Sequence, residues 1–262
     1  MAALALLPST GASEAVVAET TAAAQQPVKR VLSLDLCTDW MLVKYAQRSQ
    51  ILALSPLIHQ YPVEWVGQSW PTHDGSLEQI LELKPDLVIT GEYNALILRE
   101  RLKELGVRVA VLALPKTLSE INDYERHFLS LIGEPTTRAS TPPLNKNNRS
   151  TKQPTLLLLG ANGIGTGTHT FEDGILQRTG WQNYLTQAGY VSLDLEQLAT
   201  NPPNAVLWSA PRDVALANLF AEHPVLQRAV PKDHWLSTEY WYWQCPGPWT
   251  WQLIDQLQGW LH

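Results

Sequence analysis

The segment LEQILELKPDLVIT (residues 77–90) returns later in the chain as LEQLATNPPNAVLW (residues 195–208). In both copies Leu, Glu and Gln open an amphipathic turn. A proline stands at the same offset (Pro85 and Pro203), and a Val (Val88 and Val206) follows inside a short apolar run. Proline removes a backbone donor and ends the helix before it. The apolar run behind it is too short for a helix and reads as a buried strand. A chain that twice repeats helix, proline break and buried strand is constrained to α/β layers, and the repeat predicts two similar ones.

The rest of the chain fits that constraint. RVLSLDL, ILALS, LVIT and VRVAVLAL read as strands, with CTDWMLVKYA and LILRERLKELG between them at helical spacing. This alternation predicts a parallel sheet over residues 28–116. A second lobe over 155–262 restarts at TLLLLG, with FEDGILQRTG as its next helix and WQLIDQLQGWL as its last. Residues 117–154 read as a helix followed by a polar linker. The helix is capped by a Thr117–Glu120 box and stopped at Gly133. Pro142 and Pro143 break any continuous helix through the linker, which holds one large aliphatic residue, Leu144. The fold class expected is α/β, two Rossmann-like lobes with parallel sheets and a ligand cleft between them.

Composition narrows the function. The 262 residues carry a formal charge of −6, which leaves no basic footprint for nucleic acid. No apolar run reaches the ~18 residues of a membrane span. Residues 1–27, rich in Ala and Thr, read as a secretory signal lacking its basic start, or as a disordered tail. Cys37 and Cys245, the only cysteines, are either one disulfide in an oxidising compartment or two buried thiols.

Several motifs compete for a functional role. The loop at residues 160–167, with Gly160, Gly163, Gly165 and Gly167 after a strand, is the strongest enzyme-like signal, a cradle for a dinucleotide pyrophosphate. Its spacing departs from G-x-G-x-x-G, and the acidic residue that such a site places about twenty residues further on has no counterpart. A nucleotide enzyme is therefore the alternative reading. His59, His73 and His169 would have to converge across both lobes to hold a metal. No triad or reactive-cysteine signature is present, so neither catalytic residues nor a cofactor are expected.

Glu78 and Glu196 occupy matching places in the two LEQ copies, on the first turn of each helix. The macrodipole favours a carboxylate there, and as a pair the two would also present matched negative charges to a two-fold partner. Residues 235–251, WLSTEYWYWQCPGPWTW, concentrate five tryptophans and two tyrosines. Read as a strand end, residues 240–243 would send Tyr240 and Tyr242 to one face, Trp241 and Trp243 to the other. One face would pack and the other would line a cleft. Trp249, Trp251 and Trp260 read as core.

RVLSLDLCTDWMLVKYAQRSQILALSPL, GSLEQILELKPDLVITGEYN, GIGTGTHTFEDGILQRTGWQNY, AEHPVLQ and WQCPGPW together resemble the class III periplasmic substrate-binding proteins of ABC importers for cobalamin and iron-siderophore complexes. The resemblance implies two lobes joined by a long helix with little hinge motion, a monomer in the periplasm, and a metal-chelate or corrinoid ligand. It places Tyr61, Tyr190, Glu239, Tyr240, Trp241 and Trp243 at the ligand, with Tyr93 and His169 on loops facing it. It implies that Glu78 and Glu196 dock on arginines of the permease dimer. It also puts Cys37 and Cys245 on cleft-facing loops, one per lobe, where a cross-lobe disulfide fits. The prolines of the linker depart from the family's bridging helix. Trp243 stands where cobalamin-binding members carry an arginine, which points toward an iron chelate.

Overall fold

A computed structural model describes residues 28–67, 69–140, 153–210 and 219–261. The tail at 1–27 and the prolines expected to interrupt the bridging helix lie outside the described residues.

The first half runs β1 (Val31–Ser33), α1 (Leu36–Tyr45), β2 (Ile51–Ala53), α2 (Leu57–Gln60), α3 (Leu77–Leu83), β3 (Leu87–Gly91), α4 (Leu96–Glu104), β4 (Val109–Leu112) and α5 (Ile121–Ile132). Its four strands form a wholly parallel sheet, ordered β2-β1-β3-β4. The second half runs β5 (Thr155–Leu159), β6 (Ile164–Thr166), α6 (Phe171–Thr179), β7 (Gln182–Asn183), β8 (Tyr190–Ser192), α7 (Leu195–Thr200), β9 (Ala205–Trp208), α8 (Pro224–Ala229), β10 (Trp235–Ser237), α9 (Trp241–Gln244) and α10 (Thr250–Gly259).

The sequence repeat is a repeat of structure. α3 leads into β3 beside β1, and α7 leads into β9 beside β5. A side chain starts each helix: Ser76 Oγ accepts from the Gln79 amide, and Asp194 Oδ1 accepts from the Glu196 and Gln197 amides. These caps satisfy amides that have no partner within the helix. Glu78 and Glu196 stand exposed one residue after the helix start.

The second sheet is not purely parallel, contrary to the sequence expectation. β7, β9 and β10 run parallel, whereas β6 and β8 are antiparallel additions. The glycine-rich segment causes this, because it folds back as β6 along the end of β5 instead of entering a helix. Its glycines are consumed by packing. A Cβ on Gly165 would sit 2.3 Å from Leu185 Cδ1, and one on Gly167 2.0 Å from the Gln187 carbonyl oxygen. One on Gly163, at φ +74°, would meet the Phe220 ring at 2.5 Å. Packing thus accounts for these glycines, and no helix N-terminus follows the turn directly, as a pyrophosphate cradle requires. The dinucleotide reading fails on that geometry.

The aromatic stretch also departs from expectation. β10 ends at Ser237, and residues 241–244 form one helical turn, so period-2 alternation does not apply. What emerges is a seam between lobes. Trp40 on α1 is fully buried and meets Trp249 edge-on at 5.0 Å, Tyr242 at 6.0 Å and Trp65 at 5.9 Å. Trp65 stacks on Trp249 at 6.0 Å. Trp243 and Trp251 instead join the second-lobe core with Leu156, Leu158 and Ile254. Trp260 is only partly buried at its edge. One segment therefore serves two hydrophobic layers, and each aromatic pair adds about 0.5–1.5 kcal/mol beyond burial.

Cys37 and Cys245 are joined across the seam, 208 residues apart in sequence. Both are buried; Cys37 lies on the first turn of α1 and not on a loop, whereas Cys245 sits in the loop just after α9. α5 spans the same boundary, with Ile121 in the second-lobe core and Phe128 and Ile132 in the first. The expected capping box at its start does not form. Glu120 accepts from the Lys116 amide and the Thr117 hydroxyl, while Thr117 caps no amide of the helix. Gly133 does close the helix, at φ 75°.

Candidate functional site

Open α/β sheets present ligand sites at the carboxyl ends of their strands, because there the connecting loops diverge. Here those ends face each other. The turn after β3 supplies Glu92 and Tyr93, and the chain after β4 supplies Leu114, Pro115 and Lys116. Across from them stand His169 and Glu172 at the start of α6, Tyr190 at the start of β8, and Trp243 with Gln244 at the end of α9. The cleft between these groups has a volume of about 570 Å³.

Each wall is held from below. Asp35 caps α1, accepting from the Thr38 amide at 3.1 Å, and also accepts from the Gly91 amide at 2.5 Å, which fixes the turn that carries Tyr93. Glu92 Oε1 accepts from the Leu114 amide at 3.2 Å, tying the β3 turn to the chain after β4. Opposite, the Gly167 and Thr168 amides donate to the carbonyls of Gly189 and Gln187, both at 2.8 Å, which laces the His169 loop to Tyr190. His169 takes a left-handed φ of 61° just before the Thr170 cap. That backbone is uncommon for a non-glycine residue. Tyr93 and Tyr190 are 70% and 64% exposed, so their rings are offered to the cleft and not spent on the core.

The charge in the cleft is weak and mostly acidic. Glu172 is 7% exposed, and burial pushes its carboxyl above the usual carboxylate value. The Tyr190 hydroxyl donates to Glu172 Oε1 at 3.0 Å. Burial, and then the Glu172 carboxylate, push the Tyr190 phenol up to about 12, so it stays a neutral donor. Lys116 and His169 are the only basic residues among those lining the cleft.

Of the residues singled out in the sequence, Tyr93, His169, Tyr190 and Trp243 meet in this cleft. Tyr240 lines a smaller bay of about 180 Å³ that shares Glu172, Tyr190, Trp243 and Gln244 with it. Tyr61 and Trp241 pack on each other, ring centroids 3.7 Å apart, and line neither space. Glu239 is exposed and lines neither. Glu92, Lys116 and Glu172 were not foreseen, because isolated charged residues in connecting loops carry no spacing signal.

The histidine cluster does not form. His73 uses both ring nitrogens on backbone, Nε2 at 2.8 Å from the Ser33 carbonyl and Nδ1 accepting from the Gly75 amide at 2.9 Å. Among the described residues no group of three or more His, Cys, Asp or Glu is placed to hold a metal. No described helix is long and apolar enough to cross a membrane.

Two α/β lobes closed on a cleft at their strand ends are the fold of the class III substrate-binding proteins of ABC importers. A periplasmic heme-binding protein from Pseudomonas aeruginosa matches with a TM-score of 0.68 and 22% identity, over 88% of this chain and 92% of that one. The periplasmic heme-binding protein RhuT from Roseiflexus sp. RS-1 matches at 0.69 and 20%, over 88% and 97%. The periplasmic vitamin B12-binding protein BtuF of Vibrio cholerae matches at 0.60 and 19%, over 90% and 97%. These neighbours are binding proteins, not enzymes. No protein-family model and no curated protein sequence matches the chain.

Proposed function

We propose that this protein is an exported, periplasmic substrate-binding protein that captures a metal chelate between its lobes and delivers it to an ABC importer. The observation that carries this reading is the cleft of about 570 Å³, to which each lobe contributes an exposed tyrosine. That volume falls within the ~300–1,000 Å³ of sites that enclose a small molecule. Phenol and indole faces bury the flat or apolar shell of a chelate, while hydroxyls and carboxyls orient it. Heme-binding, vitamin B12-binding and possible iron-binding proteins share the fold, which supports a ligand among iron-siderophores, haem and corrinoids. Trp243 at the position matching an arginine, and a cleft with little positive charge, favour an iron chelate over a corrinoid.

Delivery would use Glu78 and Glu196. They are exposed on equivalent helices of the two lobes, one acidic knob for each half of a permease dimer. Charge pairs on such a rim mainly fix register and speed encounter. The domain reading follows: an N-terminal lobe over 28–116, a connecting segment over 117–154 and a C-terminal lobe over 155–262, acting as a monomer.

The test is tryptophan fluorescence during titration with haemin, cyanocobalamin and a panel of ferric siderophores. Saturable quenching at micromolar or lower concentration by one of them supports the reading. A flat response to all would remove it.

A further inference from the structure

Glu172 stands on the first turn of α6, where its Oε1 accepts from Tyr190. Its Oε2 is buried and has no hydrogen-bond partner. A buried acceptor left unmet costs about 1–3 kcal/mol, so such an oxygen calls for an explanation. The next residue shows that the turn itself does not impose this. Asp173 Oδ1 accepts from Asn183 at 3.0 Å, and its Oδ2 accepts from Gln177 at 2.7 Å and from the His169 amide at 3.3 Å. The Thr170 hydroxyl is already donated to the Gly167 carbonyl at 3.1 Å.

Glu172 lies where the main cleft opens into the 180 Å³ bay, and it lines both. The rest of the bay is formed by the glycine-rich turn, Ser209, Ala210 and Tyr240, with no Lys, Arg or His among its lining residues. Among the described residues no cation lines this bay, and its space is sized for a short arm.

We propose that Glu172 determines specificity in this cleft, accepting through Oε2 from a cationic N–H group, such as a primary amine, on an arm of the ligand seated in the bay. This rests on the binding-protein reading and narrows its ligand to chelates that carry a free amine. Tyr190 is the positioning residue, because its hydroxyl holds the other carboxyl oxygen. The groups that face Glu172 are Tyr190 from β8, Glu92 and Lys116 from across the cleft, and His169 on the preceding loop. Burial favours the protonated carboxyl in the free protein, and an arriving cation favours the charged one. Affinity for the amine therefore falls as pH drops through the raised value.

The test uses ferrioxamine B, a ferric trihydroxamate with one primary amine, beside its N-acetylated form, on the full chain and on Glu172→Gln. A charged hydrogen bond worth about 1.5–3 kcal/mol corresponds to a preference of about 10- to 150-fold for the amine form. Glu172→Gln should erase that preference. Calorimetry of the unmodified chain at falling pH should show affinity for the amine form dropping more steeply than for the acetylated form, a readout that does not depend on the variant folding. Equal affinities, a preference that survives in Glu172→Gln, or binding of haemin or cyanocobalamin with neither trihydroxamate would overturn the inference and leave the binding-protein reading standing. Failure of every chelate to bind would remove that reading, and this inference with it.

Discussion

Breaking the Cys37–Cys245 bond tests whether the seam truly fastens the two ends of the chain together. The bond closes a loop of 208 residues, nearly the whole described chain. Loop-closure entropy for a loop that long is worth about 5 kcal/mol, because the cross-link removes extended conformations from the unfolded ensemble. A chain of this size loses about 5 kcal/mol of stability per molar guanidinium. Reduction should thus lower the unfolding midpoint by up to about 1 M, and by no less than about half that if the unfolded chain keeps some structure. The assay is guanidinium unfolding followed by tryptophan emission, oxidised against reductant-held protein, with Cys37→Ala/Cys245→Ala as the control for reductant effects. Trp40, Tyr242, Trp249 and Trp65 still join the lobes without the bond, so the transition should remain single. Midpoints that coincide within about 0.2 M would refute the reasoning, since the longest loop in the protein would then be worth nothing.

Three further outcomes follow from particular residues. Asp39 is fully buried, and burial holds its carboxyl up at about 7 even though the Ser55 amide and hydroxyl donate to it at 2.9 and 2.5 Å. The unfolded chain releases that proton near 3.8, so the folded form binds the extra proton and stability falls as pH rises from about 4 to about 7. At about 1.4 kcal/mol per pH unit the loss reaches about 4 kcal/mol, and Asp39→Asn should flatten that part of the stability–pH curve relative to the unaltered protein. Gly165→Val should cost about 1–3 kcal/mol in chemical unfolding, because the new side chain drives into Leu185. NAD(P)H should fail to bind either form in a fluorescence titration. Glu78→Ala/Glu196→Ala should bind chelate with unchanged affinity yet abolish uptake through the cognate importer, and normal uptake would remove the docking role.

The fold was legible in the sequence wherever one element buries one face against one neighbour. α3 matches its expected span, 77–83, because Ser76, the Leu spacing and the Pro85 break act within a few residues of each other. The equivalence of β3 and β9 could be read from the repeat for the same reason. What was misread depends on contacts distant in sequence. The glycines of β6 answer to Leu185, Gln187 and Phe220, none of which is adjacent to them, so a packing requirement looked like a phosphate cradle. The aromatics at 235–251 read as two faces of a strand end but serve two hydrophobic layers, and nothing local says so. Four of the eight predicted ligand residues reached the main cleft; Tyr93, His169 and Tyr190 did so because they stand at strand ends or a helix start, where position follows from topology. Glu172 escaped notice because its significance is an unmet oxygen, and that exists only once Tyr190 and α6 are brought together.

The most direct measurement is the affinity of Tyr93→Ala/Tyr190→Ala for whichever chelate quenches the unaltered protein. The two tyrosines stand on opposite walls of the cleft and are largely exposed, so removing them should leave the unfolding midpoint nearly unchanged. Each ring should contribute about 1 kcal/mol or more of ligand contact, and the pair should weaken binding at least about tenfold. An affinity unchanged in the double variant would place the ligand outside the space between the lobes and contradict the account.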